Sequence, residues 1–314
     1  MMSRGKGLVV GIGTLLFAIM MFVRPSLILA QDQSADDYII KGNNYLYSNQ
    51  TQKAIDQYTK ALEIDKLNAK VYLQRGIAYG MLGNYKEAVK DFTRSAGLDP
   101  NFPDTYFSRG LAYENMNERK LAAEDFSNAI SLDSTYFQAY FHRGTTLYMR
   151  GLHDVAIADF QKAIELYPDY PEAYYNLGLA LRARNNYDFA IRSYTRAIEL
   201  VPDFIDALYN RAIAYYYNDD FNNAIKDFKR VIEMDSMYTD AYFSLGATME
   251  WTKKYDDALD AYNKYIALAP EEDSVTIQGL MEYLPNIDKK KAKYEGTWEP
   301  PPPPKLKETI PPHE

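Results

Sequence analysis

The residues best equipped for chemistry in this chain are four arginines, each followed sixteen positions later by an aspartate: Arg75 and Asp91, Arg109 and Asp125, Arg143 and Asp159, Arg211 and Asp227. Guanidinium and carboxylate fit each other through two parallel hydrogen bonds, whereas an unpaired arginine is free to grip a phosphate. Co-occurrence favours pairing. The equivalent places hold Leu177 with Ser193, Leu245 with Ala261 and Lys41 with Gln57, so the acid appears only where the arginine does. Each arginine is expected to cross to its own aspartate as a structural pair, and none of the four is a candidate phosphate binder.

Other reactive side chains are sparse. His142, His153 and His313 are not spaced with one another or with acids as a metal site requires. The acidic pairs Asp219-Asp220 and Asp256-Asp257 fall at or beside turns, where solvated carboxylates are ordinary. Gly5-Lys-Gly7 and Gly11-Ile-Gly13 lie in an apolar leader and are not phosphate loops. Asn49-Gln-Thr51 is a glycosylation acceptor only in a eukaryotic host. Without cysteine there is no disulfide, no zinc thiolate and no thiol nucleophile. No catalytic site, metal or cofactor is expected.

The elements that must position the paired residues repeat. With glycine set at repeat position 8, seven units of 34 residues follow without insertion: 35–68, 69–102, 103–136, 137–170, 171–204, 205–238 and 239–272. Position 8 is glycine except for Ala212, position 20 is always alanine, and position 24 is always aromatic. Proline stands at position 32 in four units, as Pro100, Pro168, Pro202 and Pro270. Apolar spacing of three and four predicts helices at positions 2–14 and 18–31 of each unit. Glycine and alanine permit close approach of the two helices, the ring fills the wedge between hairpins, and proline breaks the chain before the next unit. One hairpin cannot bury its own face, so the units must stack.

This pattern resembles the tetratricopeptide repeat family over 238 of the 314 residues. The resemblance implies an all-α solenoid, a right-handed superhelix of helix-turn-helix hairpins, whose first helices line a concave groove with positions 2, 5, 6, 9, 12 and 13. On that assignment position 5 carries an aromatic ladder of Phe107, Phe141, Tyr175, Tyr209 and Phe243, which either lines the groove as a binding surface or packs between adjacent first helices. Tyr148, Tyr216, Tyr217 and Trp251 add rings at positions 12 and 13. His142, Asn176 and Asn210 at position 6 offer hydrogen bonds to a peptide, and Asp104, Glu172, Asp206 and Asp240 at position 2 form an acidic row. The two asparagines resemble, in part, the asparagine ladder of O-linked glucosaminyl transferases. The carboxylate clamp of chaperone-binding members is missing: Asn43 matches one of its residues, but Ile39, Gln74, Asp104 and Ser108 replace the others. A neutral to basic protein or peptide is therefore the expected partner, not an acidic chaperone tail.

Beyond the repeats, residues 31–34 are a short linker. Arg4 and Lys6 precede an uncharged run of 17 residues, Gly7 to Val23, and Ala30 is a plausible cleavage site. Residues 1–30 read as a signal peptide or a retained membrane anchor, so the repeats are expected to be exported, periplasmic or extracellular. Full-length charge is −8; without that leader 32 basic residues face 43 acidic ones, which argues against nucleic acid or anionic membrane as partner. Any membrane contact runs through residues 7–23 if uncleaved. At the other end, Ser274 to Leu284 is expected to cap the last repeat through Val275, Leu280, Met281 and Leu284, with Pro285 stopping it. A basic segment with Lys289, Lys290, Lys291 and Lys293 completes residues 273–294, and 295–314 form a proline-rich tail that reads as a linker more than as a ligand for proline-recognition domains.

The function expected from all this is a non-enzymatic protein-interaction scaffold of an extracytoplasmic compartment. Its groove would hold an extended peptide or a partner helix. Three alternatives stand beside it: a membrane-anchored receptor or assembly factor for an envelope complex, a non-catalytic module of a multi-chain enzyme, and self-association through uncapped ends.

Overall fold

The computed structural model describes residues 34–270 and 273–293, and among them the regular structure is helical throughout, fifteen helices with no strand. The leader 1–30 and the tail from Tyr294 onward lie outside the described residues. The chain divides into two compact units between Pro168 and Asp169. The first unit holds four hairpins: α1 (Ala35–Tyr47) with α2 (Thr51–Ile64), α3 (Ala69–Met81) with α4 (Tyr85–Leu98), α5 (Pro103–Asn115) with α6 (Arg119–Leu132), and α7 (Phe137–Met149) with α8 (His153–Leu166). The second holds α9 (Pro171–Ala183) with α10 (Tyr187–Leu200), α11 (Ile205–Tyr217) with α12 (Phe221–Met234), α13 (Thr239–Trp251) with α14 (Tyr255–Leu268), and the final helix α15 (Ser274–Lys293). Within each unit the second helix of a hairpin packs on the first helix of the next, which is solenoid stacking.

Helices begin at repeat positions 1 and 17, one residue before the sequence estimate. Ser34 opens α1 with a reciprocal capping box to Asp37, and Pro103 and Pro171 occupy the first turns of α5 and α9. Repeat position 15, between the two helices, is left-handed in all seven hairpins: Asn49, Gly83, Asn117, Gly151, Asn185, Asp219 and Lys253. Glycine, asparagine and aspartate tolerate that geometry; a lysine at φ 63° does not favour it.

The core repeats with the chain. All seven position-20 alanines and all seven position-24 rings are buried. A Cβ on Gly42 would stand 2.5 Å from the Tyr58 ring, and one on Gly144 2.8 Å from Phe160, so glycine is what lets the ring lie flat on the first helix. The sixth hairpin carries Ala212 there, so it must accommodate a methyl group against Phe228.

The end of the chain departs from expectation. Helix α15 runs through Pro285 to Lys293. Proline withholds one backbone hydrogen bond, but Ile287 and Lys290 beyond it are buried, and their anchoring outweighs the lost bond. Val275 (83 % exposed) and Met281 point to solvent rather than onto the last repeat; the covering residues are Leu280, Tyr283, Ile287 and Lys290.

Candidate functional site

The four arginines reach their own aspartates. Nε and one terminal nitrogen of Arg75, Arg109, Arg143 and Arg211 donate to the two carboxylate oxygens of Asp91, Asp125, Asp159 and Asp227 at 2.7–3.0 Å. For Arg75, Arg109 and Arg143 the hydrogen bond to the aspartate holds the guanidinium's pKa above its usual value. The remaining terminal nitrogen donates at 3.1 Å to a hydroxyl of the preceding repeat: Thr59, Thr93, Ser127 and Thr195, respectively. A tyrosine ring lies beneath each guanidinium, at 5.6–5.8 Å, from Tyr72, Tyr106, Tyr140 and Tyr215. The arginine is thus a three-way clamp between two helices of one hairpin and the hairpin before it.

The aromatic ladder is not an open surface. Phe107, Phe141, Tyr175, Tyr209 and Phe243 are each at most 7 % exposed. Each packs on the position-24 ring of its own hairpin at 5.7–6.1 Å, and Phe107, Tyr175 and Tyr209 also pack on Tyr136, Phe204 and Tyr238. Glycine at position 8 leaves the space that position 5 and position 24 fill together, so these rings are core. Asn210 is likewise committed inward, donating to the Tyr175 hydroxyl and the Asp206 carbonyl. His142, half-buried, sets Nδ1 3.1 Å from the Glu114 carboxylate, whose other oxygen accepts from Thr146. It links two repeats.

The position-2 carboxylates of the first helices stay partly accessible. Asp104 accepts from the Tyr136 hydroxyl at 2.9 Å and Asp206 from Tyr238 at 3.5 Å. Burial raises the pKa of Asp104, Glu172 and Asp206. Asp240, Asn176 and Tyr148 are half-buried. In the second unit Glu172, Asp206 and Asp240 hold the same place on three successive first helices, α9, α11 and α13.

A second feature lies at the turn end of that unit. Tyr187 stacks on Tyr217 (5.6 Å, 16°), Tyr217 meets Tyr216 edge-on, Tyr216 meets Phe221, and Phe221 meets Trp251 at 6.1 Å. Trp251 is 46 % exposed and the other four are half-buried. Burial pushes the Tyr216 phenol up to about 12. The sequence singled out Tyr216, Tyr217 and Trp251, but not Tyr187 and Phe221 at position 17, which complete the line.

The clearest buried charge is Glu250 on α13. It accepts from the hydroxyls of Tyr262 and Tyr283 and from the Lys290 ammonium at 2.6 Å. Side-chain exposure is 2 % for Lys290 and 4 % for Glu250, so this member of the basic segment is an internal anchor for α15. Among the described residues no group of histidines and acids is arranged to hold a metal, and no helix is long and apolar enough to cross a membrane.

Hairpins stacked through small residues, with interior charges tied to one another, define an α-helical repeat scaffold. The chain belongs to the tetratricopeptide repeat family: tetratricopeptide repeat models match residues 69–102, 103–136, 205–238 and 240–271, and TPR repeat models match 42–83, 146–181 and 178–219. Family membership makes it a protein-interaction scaffold. Among solved structures it is similar to MamA (27 % identity, TM-score 0.51, covering 54 % of this chain and 92 % of that one). It is also similar to YrrB, described as a TPR protein with an unusual peptide-binding site (26 % identity, TM-score 0.51, 63 % and 97 %). The C-terminal part of a TPR repeat-containing protein from Cytophaga hutchinsonii shares the fold at 21 % identity, with TM-score 0.64 and coverage of 74 % and 95 %.

Proposed function

We propose that this chain is an exported, non-enzymatic scaffold whose first-helix face holds an extended segment of a neutral to basic partner protein. The observation that carries the reading is the row of half-buried carboxylates Glu172, Asp206 and Asp240 on α9, α11 and α13, with Asn176 beside Glu172. A carboxylate kept partly from water interacts more strongly with an incoming ammonium or guanidinium than one fully solvated. Peptide binding by the similar protein YrrB supports a peptide as the occupant. Export rests on the apolar leader of residues 7–23, and retention of that leader would make the protein a membrane-anchored receptor instead.

The test is an affinity capture from an envelope extract using the wild-type chain beside Glu172→Gln, Asp206→Asn and Asp240→Asn combined. Amides keep the shape and one acceptor oxygen while removing the charge. A protein retained by the wild type, lost by the folded variant and released by salt carries the reading; equal retention by both overturns it. Fractionation with mass analysis of the amino terminus decides between cleaved export and anchoring.

A further inference from the structure

The aromatic line Tyr187–Tyr217–Tyr216–Phe221–Trp251 bridges successive hairpins through Tyr187–Tyr217 and Phe221–Trp251, yet it ends on an indole that is 46 % exposed, and the sequence beyond α15 carries five consecutive prolines. We propose that the two belong together: residues Pro300 to Lys307 of the same chain dock on this line of rings.

Chemistry supports the pairing first. A polyproline II strand is pre-shaped, presents flat pyrrolidine faces, and binds grooves lined by aromatic rings with little entropy left to lose. Five consecutive prolines extend about 16 Å at roughly 3.1 Å per residue, enough to cross several rings whose neighbours stand 5.4–6.1 Å apart. Lys305 and Lys307 follow the prolines directly, and Asp188, Asp219 and Asp220 flank Tyr187, Tyr217 and Phe221 in the sequence. Asp188 and Asp219 are exposed.

The course of the chain supports it second. Helix α15 ends at Lys293, and near its end Lys290 is bound to Glu250 and Lys291 to Asp256, which are residues of the same hairpin as Trp251. The chain therefore leaves its last helix at the repeat that carries the exposed indole. Six residues, 294–299, separate that point from the first proline and span up to about 20 Å when extended. A tether of that length gives an effective concentration on the order of millimolar, so contacts too weak to be seen between separate molecules fill the site within one. The wider consequence is competition: a proline-rich basic partner would have to displace the chain's own tail.

The test uses the full chain carrying Trp298→Phe, which leaves Trp251 as the single indole. Acrylamide quenching and emission wavelength are compared with the same chain in which prolines 300–304 are replaced by serine, and with a chain ending at residue 299. Docking predicts that both changes red-shift Trp251 and increase its quenching while circular dichroism and melting stay the same. A synthetic peptide of residues 299–314 added to the shortened chain should reverse the shift, and Tyr217→Ala should weaken that peptide about tenfold, as expected for one lost ring contact. Identical quenching in all three chains overturns the proposal. So does a protection that fades on dilution, because the tail of a second copy would then be the occupant. No partner enters these measurements, so their outcome is independent of the carboxylate row.

Discussion

Repeat position 12 carries glutamate twice, once inside the first unit and once at the end of the second, and the two are used differently. Glu114 lies between α5 and α7, accepts from His142 and Thr146, and keeps 21 % of its side chain exposed. The surrounding contacts of Phe107, Phe126 and Phe141 already hold that interface. Glu250 has no further repeat to meet. Its neighbour is α15, a helix without the family's apolar pattern, and the contact is built from Lys290, Tyr283 and Tyr262 around one carboxylate shielded from water. Inside the stack the acid supplements a surface that apolar side chains have settled. At the end it specifies which helix closes the stack, and in which register. Such a buried pair is expensive to break from one side and cheap to replace from both.

The largest expected effect sharpens that contrast. Lys290→Met strands Glu250 and should cost about 3–5 kcal/mol, with α15 exchanging its amide hydrogens before the rest of the unit. Adding Glu250→Leu should recover most of the loss. Denaturant unfolding checks both, and the comparison breaks if the single and double variants are equally stable. Asp159→Ala, which leaves Arg143 with the Ser127 hydroxyl and the Tyr140 ring but no carboxylate, comes next at about 1.5–3 kcal/mol. A double-mutant cycle with Arg143→Leu should show strong coupling, and independent, additive losses would deny the clamp. Glu114→Gln is expected to cost only about 0.5–1 kcal/mol by melting, and a loss matching that of Lys290→Met would erase the distinction between the two glutamates. Lys253→Gly should stabilise by about 1 kcal/mol, since glycine already occupies the same left-handed place at Gly83 and Gly151.

The smallest effect is electrostatic. Burial raises the carboxyl pKa of Asp206, so the folded chain takes up a proton at higher pH than the unfolded chain does. The stability this group contributes is complete below its unfolded pKa and is lost as pH rises through the raised one. Asp206→Asn should flatten that part of the stability–pH curve, and an unaltered curve would show that the side chain is fully hydrated.

The period, the hairpins and the arginine–aspartate pairs were legible because they are encoded within single units of 34 residues. The third arm of the clamp was also present in the sequence. Thr59, Thr93, Ser127 and Thr195 stand at position 25 of those repeats that precede an arginine, but seeing this requires pairing one repeat with the next. Exposure at position 5 was not legible, because both a groove face and an inter-helix wedge select aromatic rings. Only the placement of Tyr136, Phe204 and Tyr238 beside them shows that the wedge wins. The end of α15 was not legible for a related reason: proline breaks helices locally, whereas the burial of Ile287 and Lys290 is decided by a hairpin elsewhere in the chain.

The arginine clamp also bears on how such a gene can change length. Arg109 takes its hydroxyl from Thr93 and Arg143 from Ser127, always at the same place in the repeat before. Recombination that excises repeat 3 whole would bring Thr93 to Arg143, and excision of repeat 2 would bring Thr59 to Arg109. In either product every guanidinium in the first four repeats would still find a hydroxyl. Excisions out of frame with the 34-residue unit would leave one orphaned. The clamp therefore acts as a splice rule, tolerant of losing whole repeats and intolerant of partial ones.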